Sequence, residues 1–124
     1  MIALLDTSAL IWALETSPRL SATARAVIED ASNVILVSVV SAWEIEIKKA
    51  LGRLAIPDNL EETIEAAGFV KRLVTFGDVR HLATLPRHHK DPFDRMLVAQ
   101  AIGEGIPLIS SDPQIARYRI QVIW

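Results

Sequence analysis

Residues 87–101 read RHHKDPFDRMLVAQA, and this stretch passes from a basic, polar loop into a helix. Asp91 suits the N-cap position, Pro92 suits the first helical residue, and Asp94 falls three positions after the cap. The residues three, four and seven positions after Asp94 are all apolar (Leu97, Val98 and Ala101). The helix is therefore predicted to carry Asp94 at the head of its inward face. A carboxylate on a buried face is costly unless a positive group meets it, so Asp94 indicates a site.

Apolar segments that read as strands alternate along the chain with helical patterns. The predicted strands are residues 2–5, 34–37, 69–76, 106–109 and 120–124. Helices are predicted over residues 8–14, 21–31, 41–52, 58–68, 78–86 and 92–104, with Ser41 and Glu44 as the capping box of the third. This alternation favours an α/β fold with three layers (α/β/α) around a mainly parallel five-stranded sheet. Because no linker or repeat divides the chain, we expect residues 1–124 to form a single domain.

Composition excludes several classes of protein and of site. The 124 residues include no cysteine, which excludes disulfides and thiolate metal sites. The first apolar run stops at Asp6, and no run approaches the ~18 residues of a membrane span, so we expect a cytoplasmic protein without a membrane anchor. The formal net charge of -2 argues against binding nucleic acid by bulk charge. A phosphate substrate would need a local basic patch or bound cations.

Four acidic residues are expected to meet at one edge of the sheet. Asp6 and Asp112 follow the first and fourth predicted strands, and the carboxyl ends of parallel strands share an edge. Glu44 and Asp94 lie on helices that begin at the same edge. Taken singly, each acid is also explained as an N-cap or as a first-turn acid favoured by the helix dipole. Four converging carboxylates would repel one another, however, and oxygen ligands without cysteine favour Mg²⁺ or Mn²⁺.

The chain resembles the PIN domains, and within them the VapC-type toxins of type II toxin–antitoxin systems. The resemblance rests on four motifs in order along the whole chain: Asp6-Thr7-Ser8, Ser41-Ala42-Trp43-Glu44-Ile45, Asp91-Pro92-Phe93-Asp94-Arg95 and Ser110-Ser111-Asp112. It implies a PIN-like fold and a Mg²⁺- or Mn²⁺-dependent endoribonuclease, which hydrolyses RNA phosphodiester bonds and leaves 5′-phosphate and 3′-hydroxyl ends.

The resemblance also implies roles for particular residues and partners. Asp6, Glu44, Asp94 and Asp112 correspond to the family's catalytic, metal-binding acids. Residues expected to support these acids without being primary ligands are Thr7, Ser8, Asp91 and Ser110. The partners implied are an RNA substrate, a cognate VapB-type antitoxin and a second copy of the chain in a homodimer.

Several alternatives stay open on the residues alone. Arg87, Lys90 and Arg95 are candidates to hold the RNA backbone, or they belong to a solvated loop with local ion pairs. Lys48 follows Glu44 by four residues and can simply pair with it. A non-catalytic PIN-fold interaction module and a metal-dependent nuclease acting on DNA are the competing functions. A phospho-receiver or phosphatase is disfavoured because Asp6 stands alone after its strand and no Lys follows the fourth strand.

Overall fold

The computed structural model describes residues 1–124 and contains five strands, six α-helices and one 3₁₀ turn. In chain order the elements are β1 (Ile2–Leu5), α1 (Thr7–Leu14), α2 (Ala22–Glu29), β2 (Val34–Ser38), α3 (Val39–Ala50), α4 (Leu60–Ala66), β3 (Val70–Arg72), α5 (Phe76–Thr84), α6 (Pro92–Glu104), β4 (Leu108–Ile109), the 3₁₀ turn (Ile115–Arg117) and β5 (Val122–Ile123). No helix combines the length and the apolar character needed to cross a membrane.

The five strands form one sheet in the order β3-β2-β1-β4-β5, and every neighbouring pair is parallel. This confirms the predicted α/β class and the five-stranded sheet, which is wholly rather than mainly parallel. The chain builds outward from β1 to β3 on one side and then returns to place β4 on the other side. The strand order therefore reverses between β1 and β4, and crevices at such a reversal are where open α/β sheets bind ligands.

Helices cover both faces of the sheet, because the strand residues that point to either face are apolar. Leu4, Leu36 and Leu108 pack with Leu97 and other buried residues beneath α6. The neighbouring strand positions face the opposite way and pack against α1, α2 and α4 (Ala3, Leu5, Ile35, Val37 and Ile109). Burial on both faces explains why these strands read as continuous apolar runs rather than as alternating ones.

The start of α3 differs from the prediction. The helix begins at Val39, directly after β2, and the Ser38 hydroxyl caps it by accepting the N–H of Val40 at 3.1 Å. Ser41 and Glu44 are therefore not a capping box: both lie inside the helix and are buried. The apolar run of β2 continues into the helix without a break, so the sequence pattern hides the boundary.

The region around β3 also differs from the prediction. The strand covers only Val70–Arg72 instead of residues 69–76, and α5 begins at Phe76 rather than at Asp78. A capping box fixes this start, because Thr75 and Asp78 each accept the other's backbone N–H. Arg72 then binds both carboxylate oxygens of Asp78, at 2.8 and 3.0 Å, and ties the end of β3 to α5.

Smaller differences concern element ends. The second helix ends at Glu29, β4 and β5 contain two residues each, and Asp112-Pro113 leads into the 3₁₀ turn. The predicted end of α6 is confirmed, since Gly105 caps it in the left-handed conformation at φ 65°.

Candidate metal centre

Asp6 and Asp112 lie at the ends of the adjacent parallel strands β1 and β4. Asp6 is the N-cap of α1, and its Oδ1 accepts the N–H of Ala9 at 2.8 Å. Oδ1 of Asp112 accepts the N–H of Gln114 at 2.8 Å, while Asp112 donates its own N–H to the Ser110 hydroxyl at 3.0 Å. Each carboxylate thus uses one oxygen as a local cap. The second oxygen of each carboxylate is left for contacts at the edge of the sheet. Each acid can therefore serve both as a local cap and as part of a site.

Glu44 enters the same region from the first half of α3. The Thr7 hydroxyl donates to the Ser41 hydroxyl at 3.0 Å, in a buried contact that joins the start of α1 to α3. Glu44 is 5% exposed, and its Oε2 lies 2.7 Å from the Lys48 ammonium. Its Oε1 is buried without any hydrogen-bond partner in the protein. Such an orphaned acceptor is costly and points to a missing positive ligand or donor.

Asp94 comes from the first turn of α6, as the sequence predicts. Oδ1 of Asp91 accepts the N–H groups of Phe93 and Asp94, at 2.8 and 3.2 Å, and fixes the start of the helix. The positions below Asp94 on the predicted inward face, Leu97 and Val98, are fully buried. Asp94 itself retains 20% of its side-chain exposure, so it lies at the rim of the core.

The pKa values of two of these acids, Asp6 and Asp94, are raised, and the charges of neighbouring acids are among the causes. Burial raises the pKa of Asp6 to about 6, the Ser110 side chain and the Ala9 N–H oppose the rise, and the charges of Asp112 and Glu44 add to it. Burial also raises the pKa of Asp94 to about 7, together with the charges of Asp91, Glu44 and Asp6, while His89 opposes the rise. Desolvated like charges of this kind are typical of sites that bind cations.

His89 belongs to the same cluster, a contact that the sequence did not predict. Its Nε2 lies 2.7 Å from Oδ2 of Asp112 and 3.2 Å from Oδ2 of Asp94, and its side chain is only 15% exposed. The only local signal is its position two residues before the cap Asp91, and that position does not predict a contact with a residue 23 positions further on. The three side chains offer ligand atoms within 4.8 Å of one another.

The remaining predicted site residues divide into two groups. Thr7 and Ser110 are buried beside the acids, and Asp91 caps α6, whereas Ser8 is exposed. Arg87 and Lys90 are exposed and their side chains make no hydrogen bond within the chain, so they stay candidates for phosphate contacts.

Arg95 differs from the other two basic candidates. Its guanidinium donates to the carbonyl oxygens of Pro86 and Leu82 and to the Tyr118 hydroxyl, at 2.9, 3.4 and 3.3 Å. These contacts hold the loop before α6 in place. Arg95 therefore supports this loop, and its contact with substrate stays a prediction.

Comparison with known proteins identifies the family. The model of the PIN domain family matches residues 3–121. The chain belongs to the PIN domain family. No curated protein is similar enough to this PIN domain to count as a match.

Solved structures share the same fold at low sequence identity. VapBC2 from Rickettsia felis, bound to a DNA fragment from its promoter, is 13% identical with a TM-score of 0.71, covering 98% of this chain and 97% of that chain. A toxin–antitoxin complex from Klebsiella pneumoniae is 18% identical with a TM-score of 0.68, covering 98% and 96%. FitAcB from Neisseria gonorrhoeae is 17% identical with a TM-score of 0.63, again covering 98% and 96%. At this level of identity the likeness concerns the fold.

Proposed function

We propose that this PIN domain is the toxin of a type II, VapBC-like toxin–antitoxin pair and acts as a Mg²⁺- or Mn²⁺-dependent endoribonuclease. The observation that supports the proposal is the meeting of four acids at the strand-order reversal, where the charges of Glu44 and Asp112 help to raise the pKa of Asp6, and those of Glu44 and Asp6 help to raise the pKa of Asp94. PIN domains are generally nucleases, and the solved structures similar to this chain include toxin–antitoxin complexes. The competing interaction-module function does not require the acids to meet.

The residues of the site fit a divalent cation. The donor set consists of carboxylate oxygens, which suit Mg²⁺ and Mn²⁺, and the buried Oε1 of Glu44 needs a positive partner. A bound cation would lower the raised pKa values of Asp6 and Asp94 and so favour their ionised forms near neutral pH. Bound cations of this kind lower the pKa of water and stabilise the charge that develops on a phosphate.

The residues of the chain would orient the substrate around this site. Arg87 and Lys90, which are exposed in the loop before Asp91, would contact phosphates of the RNA backbone. Lys48, half-exposed, adds a positive charge next to Glu44. Local cations of this kind would offset the net charge of -2, which otherwise repels nucleic acid.

The proposed partners are a VapB-type antitoxin and a second copy of the chain. A stripe of apolar residues along the outer face of α3 supports a protein partner: Val39, Trp43, Ile47 and Leu51 are spaced by four residues and are 39–62% exposed. We assign this stripe to the antitoxin, because toxin–antitoxin complexes share the fold. Light scattering of the purified toxin tests the homodimer, and a cleaving preparation that contains only monomer would refute it.

The proposed activity is tested by removing one acid at a time. Asp6→Asn, Glu44→Gln, Asp94→Asn and Asp112→Asn should each abolish most cleavage of a labelled RNA and relieve growth inhibition in cells. The matched control is Glu46→Gln, since Glu46 is exposed on the same helix as Glu44 and should leave the rate unchanged.

Two results would contradict the proposal. Full cleavage by any two of the four acid variants would refute the assignment of the site. Cleavage of a DNA strand of the same sequence, with the RNA left intact, would favour the alternative DNA-directed nuclease.

A further inference from the structure

His89 is fixed by hydrogen bonds on three sides of the residue. Its backbone N–H donates to the Tyr118 hydroxyl at 3.1 Å, and its Nδ1 accepts the backbone N–H of Asp91 at 3.0 Å. Its Nε2 then contacts Asp112 and Asp94 across the site. The loop before α6 therefore presents one defined edge of the ring to two of the four acids.

The contact with Asp91 determines where the imidazole proton resides. A backbone N–H can only donate, so Nδ1 must be the unprotonated nitrogen of the ring. The proton of the neutral imidazole is consequently on Nε2, where it can be donated to Oδ2 of Asp112 at 2.7 Å. Oδ1 of Asp112 is already held by the N–H of Gln114, so both oxygens of this carboxylate have fixed partners.

We propose that His89 is a positioning residue of the metal centre, which donates its Nε2–H to the carboxylate of Asp112, lies next to the carboxylate of Asp94 and is not itself a metal ligand. The inference rests on the proposed function, because it requires that these carboxylates bind the ion. Ligation through Nε2 would require the proton to move to Nδ1, where it would face the N–H of Asp91. The hydrogen bond that orients the ring would then be lost.

The hydrogen bond from His89 to Asp112 is expected to orient the carboxylate for metal binding. A donor on one lone pair of Asp112 Oδ2 restricts the rotation of this carboxylate and leaves its other lone pairs for the cation. Hydrogen bonds to ligating carboxylates have this function in other metal sites, and their removal typically lowers metal affinity by about 10–100-fold. The partial positive charge of the N–H group also faces two acids that repel each other.

Nitrogen NMR of the ring tests the inference without an activity assay. The chain has three histidines, so ring signals of the ¹⁵N-labelled protein can be assigned by comparison with His81→Gln and His88→Gln. We expect His89 to carry its proton on Nε2 both without metal and after saturation with Mg²⁺. A proton on Nδ1 in either state would overturn the inference.

Mn²⁺ affinity measured by calorimetry provides the second test, with two amide substitutions that differ in reach. Gln places an N–H donor near the position of Nε2, so His89→Gln should keep the affinity within about threefold. His89→Asn ends near the position of Nδ1 and should lose about 10–100-fold. The matched control is His88→Gln, since the His88 ring packs against Tyr118 at 5.0 Å and should not affect the affinity.

The outcomes separate this inference from the proposed function. Equal affinities of the Gln and Asn variants, whether both unchanged or both reduced, would overturn the positioning role. A parent protein that binds no Mn²⁺ at all would overturn both the proposed function and this inference. A parent that binds Mn²⁺ while the Mg²⁺-saturated ring has an unprotonated Nε2 would make His89 a ligand and leave the proposed function intact.

Discussion

Substituting Asn for Asp94 should stabilise the metal-free protein, although it should abolish activity. The pKa of Asp94 rises from 3.8 to about 7 in the folded chain. One pKa unit corresponds to about 1.4 kcal/mol, so the full shift would cost the folded state about 4 kcal/mol when the carboxylate is ionised. Because the side chain is still 20% exposed, solvent screening reduces this cost to about 2 kcal/mol.

The net gain is smaller than this cost. Asn keeps the shape of the side chain but loses a favourable interaction with the helix dipole of about 0.3–1 kcal/mol. We therefore expect Asp94→Asn to raise the metal-free stability by about 1–2 kcal/mol, which is a rise of about 5 °C in melting temperature.

The assay is thermal unfolding of parent and variant at about pH 8, once with EDTA and once with Mn²⁺. At about 100 times Kd, Mn²⁺ should stabilise the parent by about 2.7 kcal/mol, and the variant should lose most of this gain. Glu46→Gln is the control for removing a negative charge, since Glu46 is exposed and its substitution should change little. If Asp94→Asn melts lower than the parent in EDTA and still shows the full Mn²⁺ shift, Asp94 is only a helix-start residue.

Two further predictions concern stability. In the metal-free protein, the free energy of unfolding measured in urea should fall from about pH 5 to about pH 8. The pKa values of Asp6 and Asp94 are raised to about 6 and 7, so the folded state holds protons that the unfolded chain has already released. A free energy of unfolding that rises across this range would contradict the electrostatic explanation. Asp78→Ala should cost about 3–5 kcal/mol, because it leaves the mostly buried Arg72 guanidinium without its bidentate partner, while Mn²⁺ affinity per folded molecule should be unchanged.

The sequence predicts the fold well where local signals agree with packing. Asp91, Pro92 and Gly105 are standard start and stop signals, and α6 follows them closely. The boundary between β2 and α3 is missed because Val37, Val39 and Val40 are equally apolar whether they continue a strand or begin a helix. The length of β3 is overestimated for a related reason: residues 73–76 are suitable strand formers, but the Thr75 cap, together with Asp78 and Arg72, turns the chain into α5.

The candidate site is predictable to a different degree for each kind of residue. Acids that follow parallel strands or begin inward-facing helices can be placed at one edge from topology, and the structure does bring Asp6, Glu44 and Asp94 into mutual interaction. His89 cannot be placed in this way, because its position depends on the path of a loop held by Tyr118, a residue 29 positions further on. Likewise, nothing local indicates that Arg95 turns to the carbonyls of the preceding loop.

We propose that four converging carboxylates make this PIN domain a metal-dependent ribonuclease, and the chemistry of the cleaved ends tests this proposal most directly. Purified protein should cut an RNA panel only when Mg²⁺ or Mn²⁺ is supplied, and the products should carry 5′-phosphate and 3′-hydroxyl ends, because water rather than the 2′-hydroxyl attacks the phosphate. Cleavage that persists in EDTA and leaves 5′-hydroxyl and 2′,3′-cyclic phosphate ends would contradict the account.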